Sequence, residues 1–390
     1  MQAFQEYVLP PDKLVQAIEF AHTRYALHFA AFLVSVIVLV AVTYFRLVPR
    51  MKRFHPIWIV VAVMLLTSIC DLPAETYGHS VSLRYAISIQ GWPSWMWDWV
   101  KEQLLSTVIA IAVLVPFYWL LRKSPKRWWV YTWLVSIPVL LLSAYADPLL
   151  VEPLFNTFQP LSAKHPGLIA PIEELLARAG VRIPRDHLFE MAASEKTNSL
   201  NAYVTGFGPS KRVVLYDTII EKENGPPLMT TIGHELGHYV LNHIPKGLAM
   251  GSVSILLTLW ILSVVMPGLV SRWGARFDIL RVSDWASLPV FLLSVLVLSF
   301  VAEPLVNAYS RSQEHEADLY SLEVTHGLIA NPGQAAAQAF QVEGETDLDE
   351  PHPNPFIVFW LYSHPPVADR LRFSLEYNPW AKGASPKFVK

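Results

Sequence analysis

Six stretches with almost no charge set the first limit on what this chain can fold into. They are HFAAFLVSVIVLVAVTYF (28–45), IWIVVAVMLLTSIC (57–70), QLLSTVIAIAVLVPFYWLL (103–121), WWVYTWLVSIPVLLLSAYA (128–146), LAMGSVSILLTLWILSVVM (248–266) and ASLPVFLLSVLVLSFVAEPL (286–305). Most approach the ~20 residues that a helix needs to cross hydrocarbon, and the second borrows from its flanks. Aromatic residues gather at the block ends, where membrane helices meet headgroups. A large soluble protein could bury such helices, but it would carry roughly a quarter charged residues; this chain has 16%. The expected fold is predominantly α, a multi-pass helical bundle of about six spans with the lipid bilayer as its surroundings. The first block starts late and no small-residue cleavage site follows it, so it reads as an anchor and not as a cleaved signal.

The remaining sequence divides around those blocks. Residues 1–146 hold four spans, with a Trp- and Tyr-rich connector at 72–102 that reads as an interfacial helix or a lid. Residues 147–247 are polar enough to fold outside the bilayer, residues 248–305 hold two further spans, and 306–390 are again extramembrane. Two spans thus interrupt one α+β domain. Within it PIEELLARAGV reads as an amphipathic helix ended by Gly180. HLFEMAA, NAYVTGF and KRVVLYDTII read as strands, the last two joined across GPS (208–210) as a hairpin. GPPLMTTIGHELGHYVLNHIPKG reads as a helix with Pro226 or Pro227 in its first turn and Pro245 near its end. SRSQEHEAD lies on a helix that continues out of the sixth span. A net charge of −2 gives no reason to expect nucleic acid. The lone Cys70 excludes an intramolecular disulfide and a cysteine-rich metal site.

His234 and His238 in HELGH are four residues apart, so a helix projects both imidazoles from one face. That spacing suits a zinc ion, with Glu235 beside them as general base for a water that the metal activates. A solvated helix face with chance histidines is the plainer alternative. His243 is nine residues after His234, about 180° around a continuous helix, so it is set aside as a capping or interfacial residue. Glu314 and Asp318, again four apart, can supply a third ligand and a carboxylate that orients a ligand histidine. An ordinary charged helix surface shows the same spacing, while His315 and Glu316 project elsewhere.

At this point several phrases together resemble a known family. HELGH, SRSQEHEAD, VEPLFNTFQPL (151–161), NAYVTGFGPSKRVVLYDTII (201–220) and YSHPPVADRL (362–371) look like the integral-membrane gluzincins typified by the CAAX prenyl proteases. The likeness runs in order from about residue 57 onward. It implies a zinc endopeptidase with one Zn²⁺ per chain, ligands His234, His238 and Glu314, Glu235 as base and Asp318 behind the ligands. It also implies His364 as oxyanion stabiliser, and Asn201, with Ala202 and Tyr203 on an edge strand, as substrate-binding. Arg370 is expected to fix the loop bearing His364 and to assist in binding substrate.

Departures accompany the likeness. Six spans are counted where eukaryotic members have seven, SEKTNSLNAY replaces a serine- and histidine-rich run, and no ER-retrieval signal closes the chain. A bacterial relative in the inner (plasma) membrane is the expectation, with the endoplasmic reticulum as alternative. The substrate would be a membrane or exported protein under quality control, or a CAAX-like, lipidated C-terminus; oligomeric state is open. Basic residues cluster at Arg46–Arg53, Arg122–Arg127 and Arg272–Arg281. The positive-inside rule places them in the cytoplasm and the catalytic domain outside; the resemblance implies a cytosolic site, and the charge reading is the working expectation. Two rivals stand beside the peptidase. A site-2-type intramembrane protease would carry HExxH inside a span, and a non-catalytic scaffold or transporter would show a broken ligand set.

Overall fold

The computed structural model describes residues 5–206 and 208–389. Phe207, at the end of the second strand candidate, lies outside the described residues. Four long helices come first: α1 (Pro11–Tyr44), α2 (Pro56–Arg84), α3 (Trp92–Lys123) and α4 (Trp128–Ala146). Then follow α5 (Pro166–Arg178), α6 (Asp217–Lys222), α7 (Pro226–Val240), α8 (His243–Trp273) and α9 (Leu288–Thr325). Three shorter helices close the chain: α10 (Pro332–Asp347), α11 (Pro355–Leu361) and α12 (Val367–Glu376). Among the described residues six helices are long and apolar enough to cross a membrane, namely α1–α4, α8 and α9. Their mutual contacts bury Val63, Phe117, Tyr118, Trp128, Met266 and Phe291 in one cluster. Many of their other large apolar side chains stay exposed, Leu142 at 65% and Val264 at 63% among them. In water that exposure would be unfavourable; in lipid it has no such cost.

Helix length explains how the bundle carries a domain above it. The 38 residues of α9 extend ~57 Å at 1.5 Å per residue, nearly twice the ~30 Å of hydrocarbon. Its apolar part ends near Leu305, and the rest, from Asn307 to Thr325, rises out of the span with Glu314 and Asp318 on it.

A four-stranded sheet lies against α7. Its strands are β1 (Phe158–Pro160), β2 (Leu188–Met191), β3 (Ala202–Thr205) and β4 (Arg212–Tyr216), in the order β1-β2-β4-β3. β3 and β4 form the expected antiparallel hairpin, and β2 joins β4 in parallel. β4 reads RVVLY with four of five residues buried, as a central strand packed on both faces should. The DTII end of that strand candidate turns into α6 instead. β1 escaped notice in the sequence because three residues ending in Pro160 are too short to show alternation; an edge position tolerates the proline. Behind the sheet, Ile172, Leu188, Leu215, Ile219, Ile232 and Leu236 form the domain core.

Other expectations change. Residues 72–102 form no separate interfacial helix or lid, because α2 runs to Arg84 and α3 starts at Trp92. The short link between them docks on the sheet domain: Ser88 bridges Thr197, and Asn198 donates its backbone N–H to Ile87. The SEKTNS departure is thus the surface on which the bundle rests. The first residues also leave the membrane region, since Tyr7, Leu9, Ala17 and Phe20 pack with Phe340 and Leu371.

The HELGH helix stops sooner than read. Asn242 adopts φ 59°, a left-handed conformation that asparagine tolerates better than most residues and that ends a helix. His243 and Pro245 therefore open the next helix, α8.

The closest join in the domain is between α7 and α9. A Cβ on Gly233 would lie 3.1 Å from Ser321 Oγ, and one on Gly237 3.1 Å from Ala317 Cα. Backbone contact of that kind requires residues without side chains. Gly237→Val should lower the melting temperature of the detergent-purified protein by an amount worth roughly 1–3 kcal/mol of overpacking. Gly247→Val, at a helical glycine with nothing within 4 Å, serves as control. Equal melting of the two variants would refute the packing argument.

Candidate active site

α7 presents His234 and His238 one turn apart, and α9 brings Glu314 to the same point. The two Nε2 atoms are 3.0 Å apart. Glu314 Oε2 lies 3.2 Å from His234 Nε2, and its Oε1 lies 3.5 Å from His238 Nε2. One ligand atom from each residue falls within 4.8 Å of the others, and among the described residues this is the one group of three or more that could hold a metal ion.

The hydrogen bonds around the triad test whether a cation fits. His234 Nδ1 meets Asp318 Oδ1 at 2.8 Å; a carboxylate only accepts, so Nδ1 carries a proton and Nε2 is the nitrogen left to ligate a cation. His238 Nδ1 contacts His243 Nδ1 at 3.0 Å, and His243 Nε2 lies 3.5 Å from Glu316 Oε2. With His243 Nε2 protonated toward that carboxylate, His238 donates from Nδ1 and its Nε2 is likewise left to ligate. Glu314 Oε2 is buried and has no hydrogen-bond partner. Two such nitrogens and a carboxylate oxygen converge, an arrangement a tetrahedral N/O-binding cation satisfies.

An outer ring holds these ligands. Arg370 donates to both oxygens of Asp318, at 3.0 and 2.7 Å, and its guanidinium lies over Phe340. Arg370 was expected to hold the His364 loop and bind substrate; the fork geometry of its guanidinium matches a carboxylate instead, although it also reaches the cavity wall. The loop is fixed by two residues that sequence reasoning passed over: Asn307 Nδ2 donates to Trp360 O, and Arg311 to Val358 O and Tyr362 O. They sit four apart on α9, the same spacing as Glu314 and Asp318, and that repeat was the available signal. His243 also enters this ring. The angular argument against it assumed one continuous helix; the break at Asn242 swings it back behind His238, outside the ligand triad. His315 stacks near Phe373, away from the site as expected.

Glu235, His364, Asn201 and Ala202 line one cavity of about 510 Å³ together with His234. Burial raises the pKa of Glu235. His364 Nε2 lies 3.4 Å from Glu314 Oε1, with its Nδ1 2.9 Å from Ser363 Oγ. Tyr203 does not join them. Strand alternation turns it to the opposite face of the sheet, where its hydroxyl donates to Glu152.

This geometry can be set beside known proteins. The family model described as peptidase family M48 matches residues 162–377, more than half of the chain. The chain belongs to peptidase family M48. A second model, "CAAX prenyl protease N-terminal, five membrane helices", matches residues 4–157, so the M48 likeness starts well before residue 57. The described residues of that part hold four long helices.

An uncharacterized metalloprotease, YhfN, of Bacillus subtilis (strain 168) is 37% identical over 80% of this chain and 71% of its own. A CAAX prenyl protease 1 homolog of Arabidopsis thaliana is 27% identical over 83% and 74%. The crystal structure of S. mikatae Ste24p shares the fold, with a TM-score of 0.78, 21% identity, and coverage of 95% of this chain and 92% of that one. As an M48 member the chain is a multi-pass membrane metalloendopeptidase. Its HELGH helix is not one of the six long apolar helices, unlike a site-2-type enzyme, and its ligand set is whole, unlike a degenerate scaffold.

If Asp318 and Arg370 hold His234 in place, Arg370→Lys keeps the charge but loses the two-pronged contact. Its metal dissociation constant, measured by chelator competition, should rise ~10–100-fold. Arg372→Lys, at an arginine whose exposed ion pair is with Asp369, should leave it unchanged.

Proposed function

We propose that the metal is zinc, held by His234, His238 and Glu314, and that the enzyme cleaves peptide bonds in membrane or exported proteins at the membrane surface. The observation that carries this reading is the convergence of two imidazole Nε2 atoms and a carboxylate oxygen on one point, beside a cavity whose wall includes His234 and Glu235. When bound, zinc supplies Lewis acidity toward the scissile carbonyl and toward a water molecule. Glu235 accepts the proton of the attacking water and delivers it to the leaving amine; its burial raises its proton affinity, which favours a base. His364 donates an N–H to the carbonyl oxygen as charge builds there. β3 is a sheet edge, and Asn201 and Ala202 at its start line the cavity, so an extended peptide can add to it as a further strand. Asp318 and Arg370 keep His234 oriented throughout.

A second reading, cleavage of CAAX-like lipidated C-termini, is favoured by the names of several relatives, such as the CAAX prenyl protease 1 homolog of Arabidopsis thaliana. Matched peptides with and without a prenyl group separate the two. The membrane we propose is the plasma membrane of a bacterium, consistent with the Bacillus relative, and the basic hairpins put the active site on its outer side.

Glu235→Gln should retain stoichiometric zinc and lose peptide hydrolysis by ~10²–10⁴-fold; cleavage equal to wild type would end the mechanism. Chelation should abolish wild-type activity, and added zinc should restore it. For orientation, a cysteine introduced at Glu221 in a Cys70→Ala background should react with an impermeant maleimide from outside intact cells. Labelling that requires lysis would reverse the orientation.

A further inference from the structure

The cavity beside the triad is far more acidic than hydrolysis requires. Its wall carries seven Asp or Glu residues against two Arg and no Lys. Several are already committed: Asp318 to Arg370, Glu303 to His28 at 3.2 Å, and Glu350 to the hydroxyl of Tyr25. Arg370 gives its two-pronged contact to Asp318, and Arg24 lies over Phe20 near Asp349.

Glu343 and Asp347 are held less fully: Asp347 accepts hydrogen bonds from the Ser199 side chain and the Leu200 backbone, and Glu343 shares the field of Arg370 with Asp318. Glu343 and Asp347 stand four apart on α10, on the same face, and both line the cavity. Like charges at that spacing weaken a helix. One oxygen of Asp347, Oδ1, is buried without a hydrogen-bond partner. Directly behind the wall lies Glu223, 1% exposed. It accepts a hydrogen bond from the cavity-lining Thr231 through Oε2, while its Oε1 is unpartnered. Burial pushes both Glu223 and Asp347 up to about 7, and the charge of Asp347 adds to the effect on Glu223, as expected of buried carboxyls set near one another. A buried carboxylate oxygen left without a donor is costly, and Glu223 Oε1 and Asp347 Oδ1 are both in that position beside a peptidase centre, so the acidic wall calls for a cationic guest. The carboxylate oxygens do not converge as a metal site does: among the described residues the triad is the one group of three or more with ligand atoms within 4.8 Å of one another. A cation with several N–H donors on a flexible stem spans such a gap, and a peptide side chain supplies one.

We propose that Glu343 and Asp347, backed by Glu223, form a specificity pocket for a lysine or arginine side chain of the bound peptide. This rests on the peptidase reading of the neighbouring centre and names its substrate class: segments with a basic residue close to the cleaved bond. The recess is held rigid from behind. Gly344, between the two acids, packs so closely on Tyr7 that a Cβ would lie 2.6 Å from its hydroxyl oxygen, and that hydroxyl donates to Asp349 O.

The test separates binding from chemistry. A set of peptides of one length, each carrying a single Lys or a Gln in its place at successive positions, is bound to the zinc-loaded Glu235→Gln protein and read by fluorescence anisotropy. At one position or two adjacent ones Lys should bind at least about tenfold tighter than Gln, a difference a charge-assisted contact can supply. Adding Glu343→Gln should cut the ratio below about threefold, and Asp347→Asn, a second route if the first variant folds poorly, should do the same. Metal content should be unaltered. The pocket is refuted if no position favours Lys, or if the preference survives both substitutions. Wild-type cleavage of the same peptides runs in parallel. Loss of cleavage with the binding preference intact would sink the peptidase reading alone.

Discussion

The contact between α7 and α9 is the constraint on which the rest of this structure depends. HELGH supplies two imidazoles from one helix, but the carboxylate that completes the triad is on another helix, some 80 residues later and beyond two membrane spans. The helices can approach only because Gly233 and Gly237 leave their facing surface bare, against Ser321, Val324, Thr325, Ala317 and Tyr320. The hydroxyl of Ser321 ties the pair further by donating to Thr230 O at 2.5 Å. Glycine weakens a helix interior by about 0.5–1 kcal/mol relative to alanine, and here that loss is offset by backbone proximity that sets the ligand distances.

Around that contact the polar groups are arranged in layers. Asp318 fixes the tautomer of His234, Arg370 fixes Asp318, and His243 stands behind His238 with Glu316 beyond it. Each imidazole thus has one nitrogen committed outward and the other free to coordinate. The same helix that bears the third ligand also anchors the loop of His364 through Asn307 and Arg311. One rigid rod, rooted in the bilayer, therefore positions the candidate third ligand, the carboxylate behind it and the oxyanion candidate. The membrane part serves as a frame for the site, which accounts for a metallopeptidase motif in so apolar a chain.

Much of this was legible from residues alone, for identifiable reasons. Apolar blocks of hydrocarbon length announce themselves because lipid imposes one length and one composition. Ligand pairs at spacing four announce themselves because the helix repeat is fixed, so His234 with His238, and Glu314 with Asp318, stood out. The hairpin of β3 and β4 was readable from two strand-like runs joined across the turn residues GPS. Short or mixed signals were not readable: β1 has three residues, and DTII has strand-like composition but follows a strand end and caps into α6. Tyr203 was credited with substrate contact because its strand was identified correctly but its face was not.

The sequence by itself determined that the chain spans a membrane, that it carries a helix with two histidines and a glutamate in metallopeptidase order, and that a second acidic helix leaves the last span. These are local properties, set by composition and by the period of a helix. Only the tertiary structure decided which partners those residues have. It took Arg370 from the substrate to Asp318, brought His243 back behind His238 through one left-handed residue, and turned the Trp-rich connector from a lid into a strut. It also placed Glu343 and Asp347 of one helix and Glu223 of a distant stretch in one acidic region beside the triad. Such pairings depend on helix ends, crossing distances and chain reversals, and no local pattern encodes those.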